Sequence, residues 1–216
     1  MKIVIFGATG NVGRPLVKEA LTRGHQVVGV IRDPQAVQSA DARVTLRRGD
    51  ATDRQSVAEL ARGADAVVSA VSPRPSASGL PAPTLVGAAR AVIAGLRDAG
   101  TQRVVAVGGA GSLEIAPGKA LVDQPGFPDM YKAEALDGRA SLKIYREEAA
   151  GLDWTFISPA IEIAPGERTG RYRTTIDQVL SDANGKSFIS FEDFAVAILD
   201  ELERPKHIGR RFGVAY

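Results

Sequence analysis

The 216-residue chain has no cysteine and only two histidines, His25 and His207. A disulfide framework and a thiolate nucleophile are thereby excluded, and no histidine-rich metal site is expected. The chain also lacks any run of about 18 apolar residues, so no membrane-spanning helix is expected. Charge of one sign is scarce too. The 27 Lys and Arg stand against 25 Asp and Glu, a formal charge of +2, and no basic run is long enough to hold nucleic acid or anionic lipid. The opening MKIVIFGATG passes from a short apolar run straight into a glycine turn, unlike a secretory signal. These absences lead us to expect a cytoplasmic protein with a small-molecule substrate, no metal, and no nucleic-acid or membrane partner. They give no oligomeric state.

Hydrophobic content of 44% and charged content of 24% are those of a globular chain, and the length suits one domain, 1–216. Short, mostly continuous apolar runs at 2–6, 26–31, 43–46, 66–71, 103–107 and 154–158 read as strands covered on both faces. Helical segments separate them. The first carries Pro15 in its opening turn, Leu16 and Ala20 on one face, and Gly24 as a stop. Another follows Thr84, with Leu85, Ala88, Ala89, Val92 and Leu96 on one side and Gly100 at its end. This alternation predicts an α/β Rossmann fold, a doubly wound parallel sheet. Residues 159–190, rich in Pro and Gly, read as a small irregular lobe on the substrate side. Ser190 and Asp193 then resemble a capping box before a helix bearing Phe194, Ile198 and Leu202, and 211–216 reads as a last edge strand. Residues 72–83 and 111–129 read as loops, Trp154 and Phe156 as core, His25 as a turn residue and His207 as part of a solvated connection.

The densest motif is Gly7-Ala8-Thr9-Gly10-Asn11-Val12-Gly13, directly after an apolar strand and directly before a helix. Glycine permits a tight turn and lets backbone amides approach a pyrophosphate, whose charge the helix N-terminus favours. We assign Gly7, Thr9, Gly10, Asn11, Val12 and Gly13 to a nicotinamide dinucleotide. The second strand ends in Arg32, followed by Asp33. An arginine there accommodates the 2′-phosphate of NADP, with Arg14 as a second cation; the rival reading gives the ribose of NAD to Asp33. NADP is favoured and NAD remains open. Asp50 and Ala51 follow the third strand, where the Asp50 carboxylate suits the adenine amino group, while Asp53 reads as a helix cap. Ala70, Val71 and Ser72 follow the fourth and are expected under the cofactor ribose.

The GxTGxxG loop, Arg32-Asp33-Pro34 and the Gly49-Asp50 turn resemble those of the atypical short-chain dehydrogenases/reductases. Three later runs are similar to the group named NADH-flavin reductases, related to biliverdin reductase B/flavin reductase and NmrA-like proteins. They are Val107-Gly108-Gly109-Ala110-Gly111-Ser112-Leu113, Asp153-Trp154-Thr155-Phe156-Ile157-Ser158-Pro159 and Pro165-Gly166-Glu167-Arg168-Thr169-Gly170. The resemblance implies NAD(P)H binding over nearly the whole chain, with a flavin as a candidate substrate. The usual Tyr-x-x-x-Lys pair is missing, because Ala135 stands four residues after Tyr131 and Ala149 four after Tyr145. An ordinary carbonyl reductase or sugar epimerase is therefore disfavoured. Hydride transfer to a flavin or quinone needs no such acid, only close stacking against the nicotinamide. Gly108, Lys132, Pro159 and Ile161 are expected beside the cofactor, and Ser112 and Tyr131 are the candidate catalytic groups. Two alternatives stay open: a non-catalytic dinucleotide sensor of NmrA type, and a carbonyl reductase with a non-standard acid.

Overall fold

A computed structural model describes residues 1–32, 41–74 and 81–216. Asp33 and Pro34 lie outside the described residues. In chain order the elements are β1 (Lys2–Phe6), α1 (Gly13–Thr22), β2 (Gln26–Ile31), β3 (Val44–Arg48), α2 (Arg54–Ala61), β4 (Ala66–Ser69), α3 (Leu85–Ala99) and β5 (Arg103–Val107). A short hairpin of β6 (Glu114–Ala116) and β7 (Lys119–Ala120) precedes α4 (Asp129–Glu148). Then come β8 (Asp153–Ser158), β9 (Glu162–Ala164), β10 (Arg173–Thr175), β11 (Phe188–Ser190), α5 (Phe191–Glu203) and β12 (Arg210–Ala215).

The main sheet runs β10-β12-β8-β5-β4-β1-β2-β3, parallel throughout except for β10 against β12. Chain order reverses between β1 and β4, and this switch point opens a crevice at the carboxyl ends of the strands. Alternation along each strand divides the core. Ile3 and Ile5 face α1 and α5, packing with Leu16, Ala20, Phe194 and Ile198. Val4 and Phe6 face the opposite side, with Val92 and Leu96 of α3 and Leu142 and Tyr145 of α4. Each such fully buried Val, Leu, Ile or Phe side chain contributes roughly 1.5–3 kcal/mol. Trp154 and Phe156 lie in this second cluster, as core.

Four expectations need correction. The last strand, β12, is not an edge: it pairs with β8 on one side and with β10 on the other. Residues 159–190 are less irregular than their composition suggests, since β10 joins the main sheet and β9 pairs in parallel with β11. Within 111–129 the chain forms a hairpin flanked by two 3₁₀ turns, and Asp129 already begins α4. The 204–210 connection is exposed as expected, but the His207 side chain is largely shielded, 14% exposed. Its ring stacks on Phe212 at 4.1 Å and its Nδ1 lies 2.8 Å from Glu201 Oε2, inside a network where Arg103 also reaches Glu201. His25 does sit at the α1–β2 turn, 2.8 Å from Glu203.

Buried carboxylates lock residues 165–170 onto the helices. Ser190 caps α5 by accepting from the Asp193 amide at 2.9 Å, but the Asp193 carboxylate does not return to Ser190. It accepts instead from the amides of Thr169 and Gly170 and from the Tyr216 hydroxyl, so only half of the expected capping box forms. Glu19 of α1, 4% exposed, takes both Arg168 (2.7 Å) and Arg23 (2.7 Å). The hydrogen bond from Arg168, and then that from Arg23, hold its carboxyl at about 2 against a burial penalty acting the other way. A depressed carboxyl contributes stability that is fully present above its unfolded value near 4.5 and is lost as pH falls toward about 2. Glu19→Gln is therefore expected to cost about 2–3 kcal/mol in urea unfolding at pH 7. The gap between wild type and variant should shrink as the same measurement is taken from pH 5 down to pH 2.5.

Candidate functional site

The chain leaves β1 through a turn with almost no free volume. Gly7 adopts φ +80°, and a Cβ on it would lie 2.4 Å from the Ala70 carbonyl oxygen; on Gly13 it would lie 2.0 Å from the Gly7 oxygen. Both glycines are therefore required by backbone contact. Gly10 differs: it is exposed, and an added Cβ would meet only the Gly7 oxygen, at 3.3 Å. Its amide donates to Gly7 (3.0 Å), and its carbonyl accepts from Arg14 (3.0 Å). The start of α1 has no side-chain cap and no acidic residue in its first turn. Among the described residues, the amides of Asn11 and Val12 meet no backbone acceptor. Uncapped amides at a helix N-terminus, with the helix dipole behind them, fit an anion such as pyrophosphate.

One half of the crevice is built by the ends of β2 and β3. Arg32 directly follows β2 and donates to the Pro81 carbonyl at 2.6 Å, while Arg14 donates through Nε to the Thr9 carbonyl at 2.9 Å. Arg48, in register with Ile31, adds a third guanidinium that was not foreseen; the signal for it was its place at the end of the neighbouring strand. Asp50 accepts from the amide and hydroxyl of Thr52 through Oδ1, and Asp53 caps α2 by accepting from the Gln55 amide. Ala51 and Ala70 are buried, Val71 is half-buried and Ser72 is exposed. Ala70 follows β4 directly beneath Gly7, with its amide donating to Phe6.

The other half of the crevice lies at the ends of β5 and β8 and the start of α4. Gly108 closes against β8: a Cβ there would penetrate the Phe156 ring. The following 3₁₀ turn buries Ser112, whose hydroxyl accepts from Arg211 Nη1 at 3.2 Å, and Arg211 in turn is paired with Asp177. The Ser112 hydroxyl thus faces the sheet near β12. Tyr131 is in the first turn of α4 rather than in a loop, and is 45% exposed, with Lys132 exposed beside it. Pro159 is buried, whereas Ile161 is 52% exposed. Tyr145, the other candidate for a tyrosine pair, is fully buried against Trp154 and Phe156. Burial pushes its phenol well above the ordinary value, so it offers no proton at neutral pH. No group of metal-ligating side chains occurs among the described residues. None of the described helices is long and apolar enough to cross a membrane.

The family model for NAD(P)H-binding proteins matches residues 7–205, which takes in the glycine loop and strands β2, β3, β4, β5 and β8. The chain belongs to the NAD(P)H-binding family. A nicotinamide cofactor follows as a class. This membership agrees with the atypical short-chain dehydrogenase resemblance carried by the motifs. Among relatives, the uncharacterised protein YwnB of Bacillus subtilis is 41% identical over 99% of this chain and 98% of its own length. A Burkholderia pseudomallei structure, provisionally named an exported protein, is 45% identical with a TM-score of 0.89, all of both chains covered. A Streptococcus pneumoniae structure, provisionally named an NADH-flavin reductase, is 31% identical with a TM-score of 0.84, covering 100% of this chain and 99% of that one.

In an NAD(P)H-binding chain the two glycines 10 and 13 should separate by experiment. Gly13→Ala forces a carbon onto the Gly7 oxygen and should cost about 3 kcal/mol or more of stability. Gly10→Ala should unfold within about 1 kcal/mol of wild type, and, if the exposed side of the turn receives the pyrophosphate, lose at least about tenfold in dinucleotide affinity. Chemical unfolding and a fluorescence titration with NADPH measure the two effects.

Proposed function

We propose that the chain is an NAD(P)H-dependent reductase passing hydride to a flavin or quinone-like acceptor. The observation that carries this reading is the surface of α4 at the crevice. It presents Tyr131 and Lys132 in adjacent positions, with Ala135 where a paired lysine would stand, and it sends Tyr145 into the core. A carbonyl reductase needs a proton donor at the developing alkoxide. A flavin or quinone takes hydride by stacking and takes its proton from solvent. The likeness to the Streptococcus protein, at 31% identity, supports the same choice.

The residues have the following roles. The amides of 11–13 and the α1 dipole bind the pyrophosphate. Arg32, with Arg14, binds the 2′-phosphate, making NADPH the preferred donor. Asp50 takes the adenine amino group, and 70–72 run beneath the ribose. Bound here, a reduced nicotinamide supplies one hydride, and the acceptor gains one proton from water. Gly108, Pro159 and Ile161 wall the nicotinamide end, and Lys132 sits at the cofactor's rim. Tyr131 forms the apolar wall against which the acceptor lies. Ser112 and Tyr131 are the two side chains nearest to a protein acid, and the Arg211 bond turns Ser112 from that task. Residues 159–190 form the acceptor side of a single cofactor-binding unit that works in the cytoplasm.

NADPH oxidation followed at 340 nm with FMN or menadione as acceptor tests the reading. Turnover with either supports it; tight nucleotide binding without turnover of any acceptor favours a dinucleotide sensor. Tyr131→Phe should retain kcat within about twofold, since a wall needs no hydroxyl, whereas a loss of about a hundredfold would make Tyr131 the acid. Arg32→Ala should weaken NADPH by about tenfold and leave NADH within about twofold.

A further inference from the structure

Three buried side-chain atoms have no hydrogen-bond partner among the described residues, Arg103 Nε, the Tyr145 hydroxyl and Ser158 Oγ, and all three are closed off from solvent. An open site lies elsewhere. A cleft of about 640 Å³ runs from the amino ends of β1 and β2 along β3 to the last turn of α2. Its volume is that of a small-molecule site.

Parallel sheets in doubly wound folds are normally covered on both faces. Here one face of β2 and β3 is left open. Register pairs Val28 with Thr45 and Val30 with Arg47, so these four side chains point to the same side, the side of α2 and α3. Val30 is buried there, but Val28 is only half-buried, and Thr45 and Arg47 are exposed. Leu60, near the end of α2, is half-buried as well. Val28 and Leu60 therefore give the cleft an aliphatic floor, and no Phe, Tyr or Trp lines it.

The walls are cationic. Lys2, Arg43, Arg47 and Arg62 line the cleft with a single carboxylate, Glu59, which already accepts from Gln55 at 3.0 Å. Arg43 is paired with Asp41. Among the described residues, the side chains of Lys2, Arg47 and Arg62 have neither a hydrogen bond nor an ion pair. Exposed arginines on other surfaces are matched, Arg54 with Asp98, Arg90 with Glu148 and Arg139 with Asp123. Four cations against one carboxylate leave an excess of three in this cleft, in a chain whose whole formal charge is +2. A cleft walled by one sign of charge concentrates ligands of the other. The three unmatched cations come from β1, β3 and the end of α2, which is why no basic run marks them in the sequence.

We propose that this cleft is a second ligand site, and that it takes a small amphiphilic anion. An alkyl body lies on Val28 and Leu60, and a carboxylate or phosphate head meets Lys2, Arg47 and Arg62, with the Thr45 hydroxyl as a further donor. A bare ion would leave the aliphatic floor unused, and a neutral chain would leave the cations unmatched. Lys2 and Arg62 stand at the opposite ends of the strands from the crevice, so the site does not depend on the reductase reading.

The test is backbone amide NMR of the full chain titrated with octanoate, in the absence and presence of saturating NADPH. Octanoate should shift Lys2, Val28, Thr45 and Arg62 in both conditions, with a Kd of about 1 mM or below. Octanamide, which lacks the charge, and inorganic phosphate, which lacks the chain, should each bind at least about tenfold more weakly. Arg62→Glu, and separately Arg47→Gln, should weaken octanoate by about tenfold or more and about threefold respectively, with melting temperature and NADPH affinity unchanged. Octyl phosphate run beside octanoate distinguishes the head: binding of either supports the site, and the tighter one names the group. No shift at these four amides at about 10 mM octanoate would overturn the proposal. So would shifts at the glycine loop that NADPH abolishes, which place the anion in the crevice. Octanamide binding as well as octanoate, or inorganic phosphate binding as well, would equally sink it, the first by removing the role of charge and the second by removing that of the floor.

Discussion

The backbone passes from β1 into α1 through a space in which Gly7, Ala8, Gly13 and Ala70 lie at contact distance, with no room for a Cβ at either glycine. Much of the molecule follows from that crowding. It sets α1 hard against the end of β1, so that the first amides of the helix point into the gap where strand order reverses. It also brings the β4 crest under the same gap, through the Ala70 amide on the Phe6 carbonyl. An anion site results with no charged side chain committed to it, because backbone dipoles supply the field. The exposed Gly10 then leaves one side of the turn open.

A second constraint holds the lobe of residues 159–190. The segment 165–170 forms no strand, and its shape comes from buried carboxylates on two helices. Glu19 of α1 grips Arg168, and Asp193 of α5 receives the amides of Thr169 and Gly170. Because Glu19 belongs to α1, the glycine loop and the lobe of residues 159–190 are tied through one side chain. Across the sheet, Arg211 does similar work, linking the 3₁₀ turn at Ser112 to Asp177 beyond β10. The crevice is framed on both faces by ion pairs that reach into the lobe.

Much of this was legible along the chain. β1, β2 and β5 have the bounds their apolar runs indicated, and the glycine loop stands where its strand–turn–helix context required. The rest depended on partners distant in sequence. α4 gave a weak signal because its burial is confined to the second half, at Gly138, Ser141, Leu142, Ile144 and Tyr145, while the first half is largely exposed. β12 looked like an edge because β10, which covers it, is three residues long and carries arginine and threonine rather than apolar side chains. Asp193 fitted a local capping pattern, yet tertiary donors from 169, 170 and 216 compete more strongly for its carboxylate. Ser158 stood in a motif noted for its likeness to relatives, but an unpaired hydroxyl is visible only once three strands are assembled.

The central claim is that a nicotinamide dinucleotide lies along the carboxyl ends of β1, β4, β5 and β8. Backbone amide NMR of the 22.7 kDa protein during titration with NADPH examines it position by position. The account predicts the largest shifts at Thr9, Asn11, Val12 and Gly13, a second set at Gly108, Gly109 and Ser158, and little change at Lys2, His25 and Arg62 at the opposite ends of the strands. Shifts concentrated at those opposite ends, or none at the glycine loop at saturating NADPH and NADH, would contradict it.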